Sequence, residues 1–185
     1  MKKLFYSIGL SGAGKSWYYK NTFLLDFPEV DKFLKENNLT LDSIKVCPDD
    51  IRREVCGDVS DNSRDNYVWK LVDNRLKTNL KTYGYCIFDA TGVSASARKF
   101  LKTINAYKTA IVFEPNVELS KERISKDISE GVDRSKVPMF VVDRQFESFK
   151  SSVIKDVKWN GVWNDVAKLK ITNALKLEFN EIFFV

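Results

Sequence analysis

The sequence predicts an α/β fold of three layers, a mainly parallel five-stranded sheet between helices, and three observations carry that prediction. Short apolar runs bounded by turn residues alternate with segments of helical period along most of the chain. The first apolar run passes through a glycine-rich turn directly into a helical segment. No repeat, low-complexity stretch or Pro/Gly/Ser linker interrupts the 185 residues, so one domain spanning 1–185 is expected. Strand–helix alternation of this kind buries a parallel sheet on both faces.

The elements follow in order. Leu4–Ile8 reads as a buried strand and Ser16–Leu25 as the helix after it, with a short helix over Pro28–Asn37. Ser43–Cys47 is the second strand. Residues 64–82 place Val68, Val72, Leu76 and Leu80 four apart, which is an amphipathic helix. Tyr85–Phe88 is the third strand, and a helix over 96–106 puts Ala97, Phe100, Leu101 and Ile104 on one face. Thr109–Phe113 is the fourth strand, followed by a helix over 117–130. Pro138 suits the first turn of a helix, whose face continues through Val142, Phe146, Phe149 and Val153. Glu181–Val185 is the fifth apolar run. Residues 155–176 fit no single pattern.

Composition narrows the function classes. With 44% hydrophobic residues and 13 Phe the chain can bury a substantial core, which argues against disorder. No apolar run approaches the roughly 20 residues of a membrane span. Met1-Lys2-Lys3 and the apolar residues to Leu10 imitate a signal peptide, but they lead at once into Gly12-Ala13-Gly14-Lys15, which has a better reading. A soluble, cytoplasmic protein without a membrane partner is expected. Three scattered cysteines (Cys47, Cys56, Cys86) make neither a disulfide framework nor an all-cysteine zinc site. The absence of histidine removes His-based triads, His-containing zinc sites and imidazole bases. Any proton transfer falls to a carboxylate, Lys, Cys or Tyr.

The formal charge of +5 is uneven. Residues 64–108 hold nine basic side chains against three acids (9 − 3 = +6). Such a surface attracts polyanions, and it equally suits a solvated pair of helix faces; charge alone leaves both open.

Gly9-Leu10-Ser11-Gly12-Ala13-Gly14-Lys15-Ser16 matches G-x-x-x-x-G-K-[ST]. Glycines let consecutive amides turn inward around phosphate oxygens, and the following helix adds its positive end. Gly9, Ser11, Gly12, Ala13 and Gly14 form the cradle, Lys15 reaches the β- and γ-phosphates, and the Ser16 hydroxyl is placed for Mg²⁺. The flanking strand and helix are the context this motif requires. A dinucleotide G-x-G-x-x-G is ruled out by Trp17 at the third glycine's place. The sequence therefore implies binding of ATP or another nucleoside triphosphate with Mg²⁺.

Three further segments bear on the fate of that triphosphate. Asp89 directly follows the third strand, where an acid holds Mg²⁺ or orients Ser16 and Lys15, or simply caps the next turn. Asp49 and Asp50 follow the second strand. Ligands of open parallel sheets lie at the carboxyl ends of the strands, so Asp49 can accept the proton of an attacking hydroxyl. Arg52 lies one helical turn on, placed to grip an acceptor phosphate. The same aspartates also suit a plain helix start, favourable by ~1 kcal/mol, and the residues alone leave both readings open. Lys121 to Lys126, then Gly131 to Pro138, read as a lid over about 121–138. Its Arg123 and Arg134 either neutralise charge on the transferred group or stay solvated.

These four segments, in this order, resemble the kinase domain of the bacteriophage polynucleotide 5′-kinase family and its P-loop relatives. The likeness rests on Gly9–Ser16, Asp49-Asp50-Ile51-Arg52, Asp89-Ala90-Thr91 and a basic lid from Arg123 to Val137-Pro138, and covers roughly residues 1–150. It implies a three-layer P-loop kinase fold with a helical lid. It further implies Lys15 and Ser16 on phosphate and Mg²⁺, Asp49 as general base, and Arg52 near the acceptor's phosphate. Asp89 would stand in the active site, with Arg123 and Arg134 in the lid, and a nucleic-acid end as partner.

There are departures. The stretch before Asp49 is longer by Pro28–Asn37, which is expected to reshape the acceptor cleft. Gly92 stands where asparagine is common, and Asp127 where a basic residue is expected, so Arg134 is assigned the basic role. No D-x-D-G-T phosphatase motif occurs. The leading expectation is an ATP-dependent kinase of DNA or RNA 5′-hydroxyls. The runner-up is a kinase of another hydroxyl, on a nucleoside, a small metabolite or a hydroxymethylated base in DNA. A non-catalytic nucleotide switch is the third.

Overall fold

The computed structural model describes residues 1–132, 136–154 and 164–185. The strands are β1 (Lys3–Ile8), β2 (Lys45–Val46), β3 (Tyr85–Phe88), β4 (Tyr107–Val112) and β5 (Glu181–Phe184). They form one all-parallel sheet in the order β2-β3-β1-β4-β5. In register, Tyr6 lies beside Phe88 on one side and Ala110 on the other. All five carboxyl ends therefore open on the same edge, with the loop after β1 at its centre.

The period of two divides the core between the faces. Leu4, Tyr6 and Ile8 of β1, with Cys86, Phe88, Ala110 and Val112, face one layer. That layer holds α6 (Asp65–Thr82), α8 (Met139–Ser152) and α9 (Asp165–Leu175), through Val68, Val72, Leu76, Phe149 and Ile171. Phe5, Ile87 and Ile111 face the other. There lie α1 (Lys15–Asn21), α2 (Phe23–Asp26), α3 (Pro28–Glu36) and α4 (Leu41–Ile44). Their Tyr18, Phe23, Val30, Leu34 and Ile44 are buried. The remaining helices are α5 (Pro48–Cys56), after β2, and α7 (Val117–Ser129), after β4.

Four elements depart from expectation. The helix expected over Ser16–Leu25 breaks at Thr22 (φ −126°) into α1 and α2. The break brings Phe23 and Phe27 onto Phe5, at ring distances of 5.0 and 4.7 Å. The strand expected at Ser43–Cys47 shrinks to two residues, because Thr40 and Ser43 form a capping box that starts α4. The expected helix over 96–106 is a 3₁₀ turn at Lys99–Thr103. Arg98 explains it. Its side chain is fully buried and donates to Gly92 O (2.9 Å), Glu178 Oε2 (2.8 Å) and Ser152 O (3.3 Å), tying this segment to three others. Finally, within 155–176, which fits no single sequence pattern, Asn164 caps α9, which buries Ala167, Ile171 and Leu175.

Pro28–Asn37 does not reshape the cleft. The helix packs beneath the sheet, Phe27 against Phe183 at 5.2 Å and Phe33 against Tyr85 at 4.9 Å. No residue from 27 to 46 lines the cleft described below. Among the described residues no helix is long and apolar enough to cross a membrane.

Candidate active site

A cleft of about 1090 Å³ opens over the carboxyl edge of the sheet. Its floor is the loop from Gly9 to Ser16. Two backbone bonds fix the loop's start: Gly9 N–H to Thr91 O (2.9 Å) and Ala13 N–H to Leu10 O (3.1 Å). The first intrahelical bond of α1 runs from Tyr18 N–H to Gly14 O (2.9 Å), so the amides of Lys15, Ser16 and Trp17 have no acceptor inside the helix. Lys15 Nζ donates to Leu10 O (2.7 Å) and Gly9 O (3.3 Å), folding its ammonium over the loop.

The glycines are enforced by their neighbours. Gly12 has φ +79°, and a Cβ there would lie 2.4 Å from Ser120 O of α7. Gly14 has φ +93°, with Arg123 Nη1 3.2 Å from such a Cβ. A Cβ on Gly9 would stand 2.8 Å from Phe113 Cβ. The loop can therefore pack this closely on α7 and Phe113 only where Gly12 and Gly9 carry no Cβ. Gly92 has a comparable cause. At φ +58° its Cβ would meet Ser7 O at 2.4 Å, which asparagine would also do.

Asp49, at the start of α5, lines the same cleft as Lys15 and Ser16 and stays half exposed. Arg52 Nη1 donates to Asp49 Oδ1 (2.6 Å), while Nε and Nη2 donate to Asp65 Oδ1 (3.2 and 3.0 Å). The guanidinium is 10% exposed and holds Asp49 in place; the neighbouring Arg53 lines the cleft. Asp89 also lines it, and its backbone N–H bonds to Val46 O (3.0 Å). Burial pushes the Asp89 carboxyl above its ordinary range; Lys15 and Lys45 oppose that shift and Asp50 and Asp49 reinforce it. Burial likewise pushes the nearby Cys47 thiol up to about 12, so it is no nucleophile at neutral pH.

Arg123 reaches the loop from α7, its Nη1 3.4 Å from Gly12 O. Asp127, Val132 and Val137 line the far wall, where Lys136 N–H meets Ser60 Oγ at 3.3 Å. Arg134 lies outside the described residues.

Sequence reasoning missed Gln145. Its Oε1 accepts from Ser11 N–H (2.8 Å) and its Nε2 donates to Ser11 Oγ (3.0 Å), joining α8 to the loop. The signal is visible in retrospect: Gln145 falls three after Val142 and four before Phe149, a polar residue on a buried stripe. Asp65 was counted only among the three acids of 64–108, and Arg98 was counted in the basic surface although it is buried.

Mg²⁺ fits the residues present. Among the described residues no three His, Cys, Asp or Glu side chains converge as a metal cage. A Ser16 hydroxyl and the Asp89 carboxylate on one cleft are the sparse oxygen set of an ion that takes its remaining ligands from phosphate and water.

Residues 4–152 match the family model described as an AAA domain. No curated protein matches the chain. A solved structure of similar fold belongs to the Pnkp1/Rnl/Hen1 RNA repair complex, with a TM-score of 0.60 and 22% identity. The match covers 81% of this chain and 44% of that one, so this chain spans less than half of that neighbour's length.

Proposed function

From the premise that this chain belongs to the AAA-domain family and has the fold of the P-loop kinases, we propose that it transfers the γ-phosphoryl group of ATP, or another nucleoside triphosphate, to a 5′-hydroxyl of DNA or RNA. The observation that carries this reading is the shared cleft. Asp49 faces the same space as the glycine loop, Lys15 and Ser16.

The loop amides and Lys15 bind and orient the phosphates. Ser16 and Asp89 would hold Mg²⁺, which would supply charge neutralisation when bound. The acceptor oxygen attacks the γ-phosphorus and forms a new P–O bond. The bond from that phosphorus to the β–γ bridging oxygen breaks, and its electron pair leaves with the diphosphate. Asp49 takes the hydroxyl proton. Arg52, locked between Asp49 and Asp65, keeps that carboxylate directed at the cleft. Arg123 stands beside Gly12, where positive charge meets charge developing on the transferred group. Arg134 of the lid is assigned the same task on the resemblance alone.

Support for a nucleic-acid acceptor comes from the D-D-x-R and lid resemblance, from the basic residues of 64–108, and from a fold neighbour that belongs to an RNA repair complex. Incubation with γ-labelled ATP and 5′-hydroxyl oligonucleotides of both sugars should label the 5′ ends. Label on a nucleoside or small metabolite, with none on strand ends, replaces the acceptor and keeps the kinase. Retained ATP binding with no transfer to any acceptor overturns the enzyme.

A further inference from the structure

The cleft has a second end. In the order β2-β3-β1-β4-β5, the loop after β1 stands between two pairs of strand ends. Asp49 and Asp89 follow β2 and β3 on one side. Phe113 follows β4, and Phe183 and Val185 close β5, on the other. A triphosphate laid along the loop with its γ-phosphate toward Asp49 must extend its base toward β4 and β5.

That end is built for a flat apolar group with one polar anchor. Phe113, Phe183 and Val185 line it from the sheet, and Trp17 and Tyr18 from α1. Tyr18 sits edge-on to Phe113, with ring centres 5.5 Å apart. The anchor is Asp26, at the end of α2. Its Oδ2 accepts from the Tyr18 hydroxyl at 2.8 Å, which fixes the carboxylate's direction. Burial and the Asp26 hydrogen bond both raise the Tyr18 pKa, so the phenol stays a donor. Oδ1 has no protein donor among the described residues. A carboxylate only accepts hydrogen bonds.

We propose that Asp26 selects the base of the donor triphosphate, accepting a hydrogen bond from an exocyclic amino group such as that of adenine. The selection rests on the reading of the cleft as a triphosphate site. Pockets of this kind draw their binding from apolar walls and their choice of ligand from one or two placed polar groups. Asp26 is exposed, so an amino group would replace water on Oδ1 with a directed donor, whereas a base with hydrogen at that position leaves the carboxylate with water alone. A hydrogen bond to a charged acceptor makes that difference about 10- to 100-fold in affinity.

The test compares ATP with purine riboside triphosphate, which differs only by lacking the amino group. Equilibrium binding of each to the full chain, wild type and Asp26→Ala, gives the ratio. Wild type should prefer ATP by about tenfold or more, and Asp26→Ala should bring the ratio near one by weakening ATP alone. Tyr18→Phe, which frees the carboxylate to rotate, should fall between. Equal affinity for both triphosphates in wild type overturns the proposal without any variant, and so does an unchanged ratio in folded Asp26→Ala. Failure of the underlying site looks different: neither triphosphate binds, or Lys15→Ala binds both as well as wild type does.

Discussion

Asp89 is 8% exposed and carries a carboxyl whose pKa burial has raised. A group that holds its proton more tightly folded than unfolded makes the folded state relatively less stable as pH rises from the ordinary carboxylate range through the raised value. Asp89→Asn keeps the shape and removes that dependence. The variant should gain melting temperature relative to wild type as pH rises through that window, with the gain levelling off above it, and should lose phosphoryl transfer. A melting difference that is the same at every pH would show that Asp89 titrates as it does unfolded. Asp49 makes the contrasting case, half exposed and free to meet an acceptor. Asp49→Ala should lower the transfer rate by roughly 10²-fold or more while leaving triphosphate affinity near wild type; loss of both together would make it a binding residue. The loop residues were legible in the sequence because they form one contiguous motif, Gly9 to Ser16; the clash that enforces Gly12, with Ser120 O from α7, was not. Arg52 was legible as a partner of Asp49 but not as a clamp, since Asp65 joins it from another helix.

Helices set what single residues cannot. α7 and α8 flank residues 130–138 and are pinned to each other by Lys121 and Asp143 at 2.7 Å. Both touch the glycine loop, α7 through Ser120 and Arg123 and α8 through Gln145. The two helices thus share one platform with the glycine loop. Gln145→Ala removes both bonds to Ser11 and should raise the KM for ATP several-fold. Gln145→Glu is the sharper variant. Its carboxylate can still accept from the Ser11 amide and hydroxyl, so melting should stay near wild type while the added charge weakens triphosphate binding by tenfold or so. If Gln145→Glu binds ATP as wild type does, the bond to Ser11 is structural only. The local pattern marks Gln145 as a polar residue on a buried stripe but does not name its partner, which lies 134 residues away. The break at Thr22 escaped for a related reason: α1 and α2 have a continuous helical period, and it is packing of Phe23 and Phe27 on Phe5 that divides them. The inner strands β1, β3 and β4 fared better, since an apolar run buried on both faces of a parallel sheet needs no tertiary context to be seen.

Across the whole molecule, charge is spent differently from its count. Nine basic residues in 64–108 made this stretch look like a polyanion surface. Arg98 is inside, on Glu178; Arg75 Nη2 bonds Glu54 at 2.8 Å and Lys77 bonds Asp73 at 2.6 Å. Arg98 and Arg75 are thus neutralised by acids from outside the stretch, and Lys77 by one already counted within it, so the field reaching an approaching strand is weaker than the sequence implied. For a single-stranded acceptor, log affinity falls with log salt at a slope of about −0.7 per phosphate neutralised. A surface with few unneutralised cations near the cleft should give a shallow slope, on the order of −2, rather than the steep one of a dedicated nucleic-acid groove. Measuring the KM of a 5′-hydroxyl oligonucleotide across a salt series tests this, with a 3′-phosphorylated mononucleoside as reference. The oligonucleotide should bind better at low salt and converge on the mononucleoside as salt rises. Were the two to run parallel at all salt concentrations, the basic residues of 64–108 would have no part in holding the acceptor, and recognition would end at the first nucleotide in the Asp49 end of the cleft.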